Sequence, residues 1–402
     1  QAAALQGLDK MRLIMDQGIP QGFFLPHERP RLKTLRALGF GGTDEEVINQ
    51  ATKQNPALLK NIYSASSMWA ANAATFSPSI DSYDQNIHIT PANLNSMFHR
   101  SIEHEFTKTQ LELMFGGVAQ VHNPIKNISG YGDEGAANHL RVSAQHLQPG
   151  FQIFVYGSSA FEVHQGIIAR QAEEISQAVS TQHQLDPERV LFLKQNEQAI
   201  NSGSFHNDIV SLANEEVFIF HQEAFADRVE LERVLHHLKE HVKGFHPIEI
   251  LSEDISLNDL VSSYLLNSQL ITVDNNEMMM LLPEEVQNHA NCMRWLEEIK
   301  SSSPIKHIEF VDIRQSMMNG GGPACLRFKA VVNNDEFDQL NEKFLLSPKK
   351  LMDLRALVSK HYRDKLNPED LLDIKLMQES YTFLDELTQL LDLGSIYNFQ
   401  KN

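Results

Sequence analysis

Glu216-Val217-Phe218-Ile219-Phe220 is a short run dominated by β-branched and aromatic residues, and the stretch behind it, 224–242, carries its apolar residues at helical spacing. A strand followed by a helix of this length points to an α/β protein. Outward from it the pairing recurs: Phe151-Gln152-Ile153-Phe154-Val155-Tyr156 precedes a helical pattern over 170–183, and a run at 278–282 precedes another over 284–300. Further strands are predicted at 190–193, 248–250, 269–273 and 308–311. The chain opens with helices over 5–18, ended by Gly18-Ile19-Pro20, and over 30–38, and a last helix is predicted over 371–391. A strand, strand, helix, strand unit recurs loosely without a readable sequence repeat. Residue patterns therefore carry the fold to α/β with a suggestion of internal pseudo-symmetry, and stop there.

The 402 residues are 42% hydrophobic, enough to bury a large core. Lys and Arg number 34 against 52 Asp and Glu, and the formal net charge of −18 argues against nucleic acid or an anionic membrane as partner. No run approaches the roughly 20 apolar residues that span a bilayer. The start, Gln1-Ala2-Ala3-Ala4-Leu5, lacks the basic and apolar regions of a secretory leader, so a cytoplasmic protein is expected. Cys292 and Cys325 make no disulfide framework and fit a reducing compartment, where the sequon Asn127-Ile128-Ser129 is a chance match.

Cys325 closes Asn319-Gly320-Gly321-Gly322-Pro323-Ala324-Cys325-Leu326-Arg327. Three glycines let the backbone take positive φ and approach a ligand, and Pro323 stiffens the turn that presents the thiol. A surface turn ahead of a buried, inert cysteine has the same local sequence, so partners elsewhere decide. A thiol that attacks carbon needs an acid/base group within hydrogen-bond reach, oriented in turn by a group from a third segment. Phe205-His206-Asn207-Asp208 leaves the turn-rich Asn201-Ser202-Gly203 and enters Ile209-Val210, which predicts His206 and Asp208 on one face at the start of a strand. Asp133-Glu134-Gly135-Ala136-Ala137-Asn138-His139 packs acids beside small residues that admit a ligand or a chain. Taken singly, His206 is one histidine among 18 and Glu134 a solvated turn acid; with Cys325 the set is sharper.

Trp69-Ala70-Ala71-Asn72-Ala73-Ala74-Thr75 embeds an amide in small residues, and Asn93-Leu94-Asn95-Ser96-Met97-Phe98-His99-Arg100 ends in adjacent basic groups; both read as ligand contacts or as packing. His237 and His241 have the i,i+4 spacing of zinc ligands without an adjacent Glu in the right pattern, so a solvated helix face and no metal are expected. The glycine triplet is neither a Walker motif nor a dinucleotide fingerprint, and Met278-Met279-Met280 reads as a buried strand.

Together, Gly132 to His139, Phe205 to Asp208 and Asn319 to Cys325 resemble the N-succinylarginine dihydrolases, a family of the guanidino-group-modifying superfamily. Pro26-His27-Glu28-Arg29-Pro30, the Trp69 and Asn93 segments, Asn267-Ser268-Gln269-Leu270 and Leu393-Gly394-Ser395-Ile396-Tyr397 extend the likeness along nearly the whole chain. The resemblance implies a pentein, a five-bladed α/β propeller of strand-strand-helix-strand units, with residues 1–402 as one catalytic domain. It implies hydrolysis of N2-succinyl-L-arginine to N2-succinyl-L-ornithine, two ammonia and carbon dioxide in arginine catabolism by the arginine succinyltransferase pathway, with no cofactor and a homodimeric state.

On that resemblance Cys325 is the nucleophile, His206 the acid/base group and Glu134 its orienter, with Asp208 pairing with the guanidinium. His99 with Arg100, and Arg170, would grip the two carboxylates, while Asn72 and Asn319 supply directional hydrogen bonds. Family members carry a glycine-rich, substrate-contacting stretch ahead of the first helix, which this chain, beginning at Gln1, is expected to lack. Residues 158–168 also depart from the family's usual residues. Rival readings are a deiminase or amidinotransferase using the same three groups, a silent binding scaffold, and a papain-like amidase, whose local signature around the cysteine is absent.

Overall fold

Antiparallel pairing of two strands, then a helix, then a third strand parallel to the second is the unit this chain builds four times among its described residues. The computed structural model describes residues 1–401 apart from 127, 129, 162–168 and 274–276. Two residues of the sequon and most of 158–168 thus lie outside it. In the first unit β1 (Ala74–Ser77) pairs antiparallel with β2 (Ile87–Pro91), and the helix His104–Phe115 leads to β3 (Ala119–Val121), parallel to β2. The second joins β4 (His139–Val142), β5 (Phe151–Tyr156) and β6 (Val190–Lys194) through the helix Glu173–Gln182. The third joins β7 (Ser211–Asn214), β8 (Val217–His221) and β9 (His246–Ile250) through Arg228–His241. The fourth joins β10 (Gln269–Thr272), β11 (Met278–Pro283) and β12 (Ile305–Val311) through Ala290–Ser302.

The chemistry of the chain explains the repeat. Antiparallel neighbours close through a short turn, whereas a parallel third strand needs a crossover long enough to hold a helix. Each middle strand has neighbours on both edges; β8 and β11 are buried at every position, which is why they read as continuous apolar runs. The helix Arg228–His241 starts where Asp227 accepts the Val229 and Glu230 N–H groups, and it buries Leu231, Val234 and Leu238. Removing a side chain such as Phe218 or Phe220 from water is worth about 2 kcal/mol each. The first strands lie side by side, β4 against β7 and β7 against β10. Their entrances are thereby gathered at one place.

Two compact units divide the chain. One, Trp69–Ser96 with Thr107–Leu340, holds all four sheets. The other, Gln1–Met68 with Met97–Phe106 and Asn341–Asn402, is built on helices, and Leu32, Leu35, Val47, Ile48, Ala51, Leu59, Ile62 and Met377 form a core within it. The predicted strands at 151–156, 190–193, 269–273 and 278–282 fall on observed strands, and Met278-Met279-Met280 is indeed buried. The predicted helix at 284–300 is a 3₁₀ turn, Glu284–Asn288, followed by Ala290–Ser302, and that at 371–391 starts at Ile374, where Asp373 caps it. No helix of the described residues is long and apolar enough to cross a membrane.

One buried polar cluster belongs to the first sheet and its neighbour. His88, His122 and His183 stack with ring centroids 5.1 to 5.6 Å apart. His88 Nδ1 meets His122 Nε2 at 2.8 Å and its Nε2 meets Asp84 at 2.9 Å, while His183 meets Ser77 and Thr90 hydroxyls, each at 2.8 Å.

Candidate active site

Three of the four first strands are entered through a 3₁₀ turn: Ala70–Asn72 ahead of β1, Gly135–Asn138 ahead of β4 and Asn207–Ile209 ahead of β7. Such a turn leaves polar side chains at the strand entrance, where backbone pairing has not begun. His206 and Asp208 were expected at the start of a strand. Instead His206 is extended at the head of the turn and Asp208 sits within it, because the strand begins at Ser211.

Glu134 and His206 form a buried pair, Oε2 to Nε2 at 2.9 Å, with side chains 1% and 8% exposed. The other carboxylate oxygen accepts the Ser96 hydroxyl at 2.7 Å. The Glu134 N–H donates to Gln171 Oε1 and its carbonyl accepts the Asn72 amide, both at 2.8 Å. Glu134 is therefore fixed from four segments, and the imidazole it holds has one orientation. Its neighbour Asp133 is also buried. Burial pushes the Asp133 carboxyl up to about 6 against the pull of the Gly135 N–H and Gln171 amide.

Cys325 is 9% exposed. Its thiol lies 3.5 Å from Asn267 Oδ1, its N–H donates to Gly322 and its carbonyl accepts the Ala71 N–H. The glycine run works differently from the expectation. Gly320 alone of the three has positive φ, at 99°. A Cβ on Gly321 would stand 2.3 Å from Trp69 Nε1, and one on Gly322 2.3 Å from Asn267 Oδ1, so these two glycines admit protein groups beside the thiol. Burial first, then the negative charge of Asp208, pushes the Cys325 thiol up to about 12.

Asp208 is 1% exposed, and neither carboxylate oxygen has a hydrogen-bond partner among the described residues. Burial raises its carboxyl above the usual range, against the opposing charges of His206 and Arg327 and the pull of the nearby Asn267 amide. Arg327, two residues beyond the thiol, is lowered by burial and raised by Asp208 and Cys325. A buried carboxylate without donors is costly unless something supplies them, and a planar cation with paired N–H groups does.

The structure thus gathers Cys325, His206, Glu134 and Asp208 around Asn72 and Asn267, whose amides reach the Glu134 and Asp208 carbonyls at 2.8 and 3.5 Å. Asn72 was expected to supply directional hydrogen bonds to a ligand, and one N–H of its amide goes to the Glu134 carbonyl. Arg170 stands with its guanidinium carbon 4.6 Å from the centre of the Phe205 ring. Asn319 is exposed and donates to the Gln315 carbonyl at 2.8 Å. His99 and Arg100 lie on the helix Phe98–Ser101 in the other unit, where Arg100 is buried. His237 and His241 share a helix face, and Glu240 brings a carboxylate within 4.8 Å of their ligand atoms; His237 rests edge-on against Phe151. Sequence reasoning missed Ser96, Gln171, Asn267 and Arg327 as site members. The available signal was position: Asn267 stands two residues ahead of β10 as Asn72 stands two ahead of β1.

The family profile described as succinylarginine dihydrolase matches residues 1–400. An N-succinylarginine dihydrolase from Erwinia tasmaniensis is 44% identical over 99% of this chain and 91% of its own length. One from Pseudoalteromonas atlantica is 43% identical over the same shares. Among solved structures, a cyanobacterial arginine dihydrolase of the ornithine-ammonia cycle is 14% identical with a TM-score of 0.45, covering 67% of this chain and 32% of its own, too distant to add to the argument.

Proposed function

Because the chain belongs to the succinylarginine dihydrolase family, hydrolases that act on guanidino C–N bonds, we propose that it hydrolyses N2-succinyl-L-arginine with two waters to N2-succinyl-L-ornithine, two ammonia and carbon dioxide. The observation that carries the reading is a buried, unpartnered Asp208 beside a buried thiol, with the His206–Glu134 pair formed at 2.9 Å in the same cluster.

A guanidinium carbon is a poor electrophile because its charge is delocalised, so the reaction needs a strong nucleophile and a group that orients the cation. Asp208 would accept two parallel N–H bonds from the substrate. The resting thiol is held protonated partly by the Asp208 charge. A bound guanidinium neutralises that charge and adds a cation nearby, so substrate arrival lowers the thiol toward ionisation where the empty site does not. The Cys325 sulfur then bonds to the guanidinium carbon. The C–N bond breaks as His206 protonates the departing nitrogen, leaving an S-alkylthiouronium. His206 next removes a proton from water, which attacks that carbon and expels the thiolate. A second round on the resulting ureido group releases the second ammonia, then carbon dioxide and the amine.

His99, Arg100 and Arg170 are assigned to the succinyl and α-carboxylates, against a net charge of −18 that would otherwise repel them. Asn72 and Asn319 would supply directional hydrogen bonds to the substrate. The four sheets are read as blades of a five-bladed pentein within one catalytic domain, and the protein as a cytoplasmic homodimer acting in arginine catabolism. The test is ammonia released per N2-succinylarginine consumed, with a Cys325→Ser control. Two ammonia, lost in the control, is expected. One ammonia would mean a deiminase that stops at the ureido product, and turnover surviving in the control would overturn Cys325 as nucleophile.

A further inference from the structure

Phe205 keeps 37% of its surface in solvent, an unusual place for a large apolar ring directly ahead of a buried histidine. Both of its aspects are used. The Arg170 guanidinium sits over the ring, 4.6 Å from its centre, and the His206 ring meets it nearly perpendicular, at 81° and 5.6 Å. An aromatic ring is electron-rich on its face and electron-poor at its rim, so it accepts a cation on one side while it packs edge to face with a second ring.

The two residues after Arg170 are bonded to the loop that carries the other member of the pair, and Gly132 of that loop lies close against the Arg170 carbonyl. The Ala172 N–H donates to Gly132 at 2.9 Å, a Cβ on Gly132 would stand 2.2 Å from the Arg170 carbonyl, and the side chain of Gln171 accepts the Glu134 N–H. Arg170 is therefore anchored through its main chain to the Glu134 loop and through its side chain to the residue ahead of His206. Phe205 makes the second anchor.

We infer that Phe205 is a positioning residue that couples the carboxylate-binding arginine to the acid/base histidine, so that guanidino compounds carrying an anionic group on Arg170 are the ones for which His206 is held in line. This rests on the assignment of Arg170 to a substrate carboxylate. A carboxylate that fixes the guanidinium over the ring fixes the ring, and the ring's orientation is what His206 packs against. Binding and protonation then depend on one side chain that touches neither reacting atom.

Phe205→Leu keeps bulk and removes the π face, whereas Phe205→Tyr keeps both. With N2-succinyl-L-arginine, Phe205→Leu is expected to raise KM and lower kcat, each by about fivefold, as the loss of one cation–π contact implies. Phe205→Tyr should stay within about twofold of the parent, because its ring still accepts the guanidinium. Unchanged constants in Phe205→Leu, or equal damage in Phe205→Tyr, would overturn the inference. In the ligand-free protein the His206 ring proton resonances should shift in the Leu variant and hold in the Tyr variant; no shift in either would also overturn it. An unmodified protein that consumes no N2-succinylarginine would sink the parent reading and the substrate half of this one, while the resonances still report whether Phe205 holds His206.

Discussion

Two of the buried polar clusters in the four-sheet unit differ in what they leave unfinished. In the histidine stack both nitrogens of His88 and of His183 have partners, and the whole is closed by Asp84, Ser77 and Thr90. At the strand entrances Asp208 keeps two buried oxygens without donors, Asp133 keeps one, and the Trp69 N–H beside Gly321 has no acceptor among the described residues. A closed network adds rigidity; an open one carries a desolvation cost that a ligand can relieve. The contrast separates a closed network from one with unmet hydrogen-bonding groups without reference to sequence motifs.

Substitutions at the open cluster should damage turnover more than folding. Cys325→Ser is expected to lower kcat by at least about a thousandfold, because a hydroxyl is a far weaker nucleophile than a thiolate, with an unchanged circular dichroism spectrum. Glu134→Gln keeps the shape but not the charge that supports a protonated His206, and kcat should fall about a hundredfold in steady-state assays. Asp208→Asn should cost about thirtyfold in kcat/KM while raising the thermal midpoint, since it removes a buried, unpartnered carboxylate. A lower midpoint would place Asp208 with the closed cluster and erase the distinction.

At the closed cluster the order reverses. His183→Ala strands the Ser77 hydroxyl, leaves Thr90 with only the Gln182 side chain and opens a cavity, so denaturant unfolding should show a loss of about 2–4 kcal/mol with kcat/KM within about twofold. The smallest effect is on pH dependence. Burial, then the nearby His88, holds the His122 imidazole down at about 4, below its ordinary 6.5. The unfolded chain therefore binds this proton first as pH falls, and stability present above about 6.5 is lost toward 4. Thermal midpoints should fall over that range, less steeply in His122→Gln.

The sequence exposed the middle strands β5, β8 and β11, because burial on both faces writes itself as mostly apolar runs, and missed the middle strand β2, where His88 and Thr90 interrupt the run. It concealed β1, β4 and β7, four residues each, which include polar positions such as Thr75, Arg141 and Ser211 and resemble loop. Cys325, His206 and Glu134 were visible because they combine chemistry with small or turn-forming neighbours. Ser96 and Gln171 were not, since a hydroxyl and an amide acquire meaning only when folding brings them to Glu134 from 38 and 37 residues away. Asn319 illustrates the opposite: a motif position whose amide donates to Gln315 of the short helix just before it.

The entrances of the four first strands hold unlike residues: an amide ahead of β1, a carboxylic acid ahead of β4, an imidazole and a second acid ahead of β7, and another amide ahead of β10. What is copied is the framework; what varies is the tool mounted on it. A strand's stability comes from its ladder and its core face, so the residue at its threshold is released from packing duty and each copy is open to rewriting on its own. Repetition here keeps one shape while its thresholds diverge, with amides at two of them and acids and an imidazole at the other two.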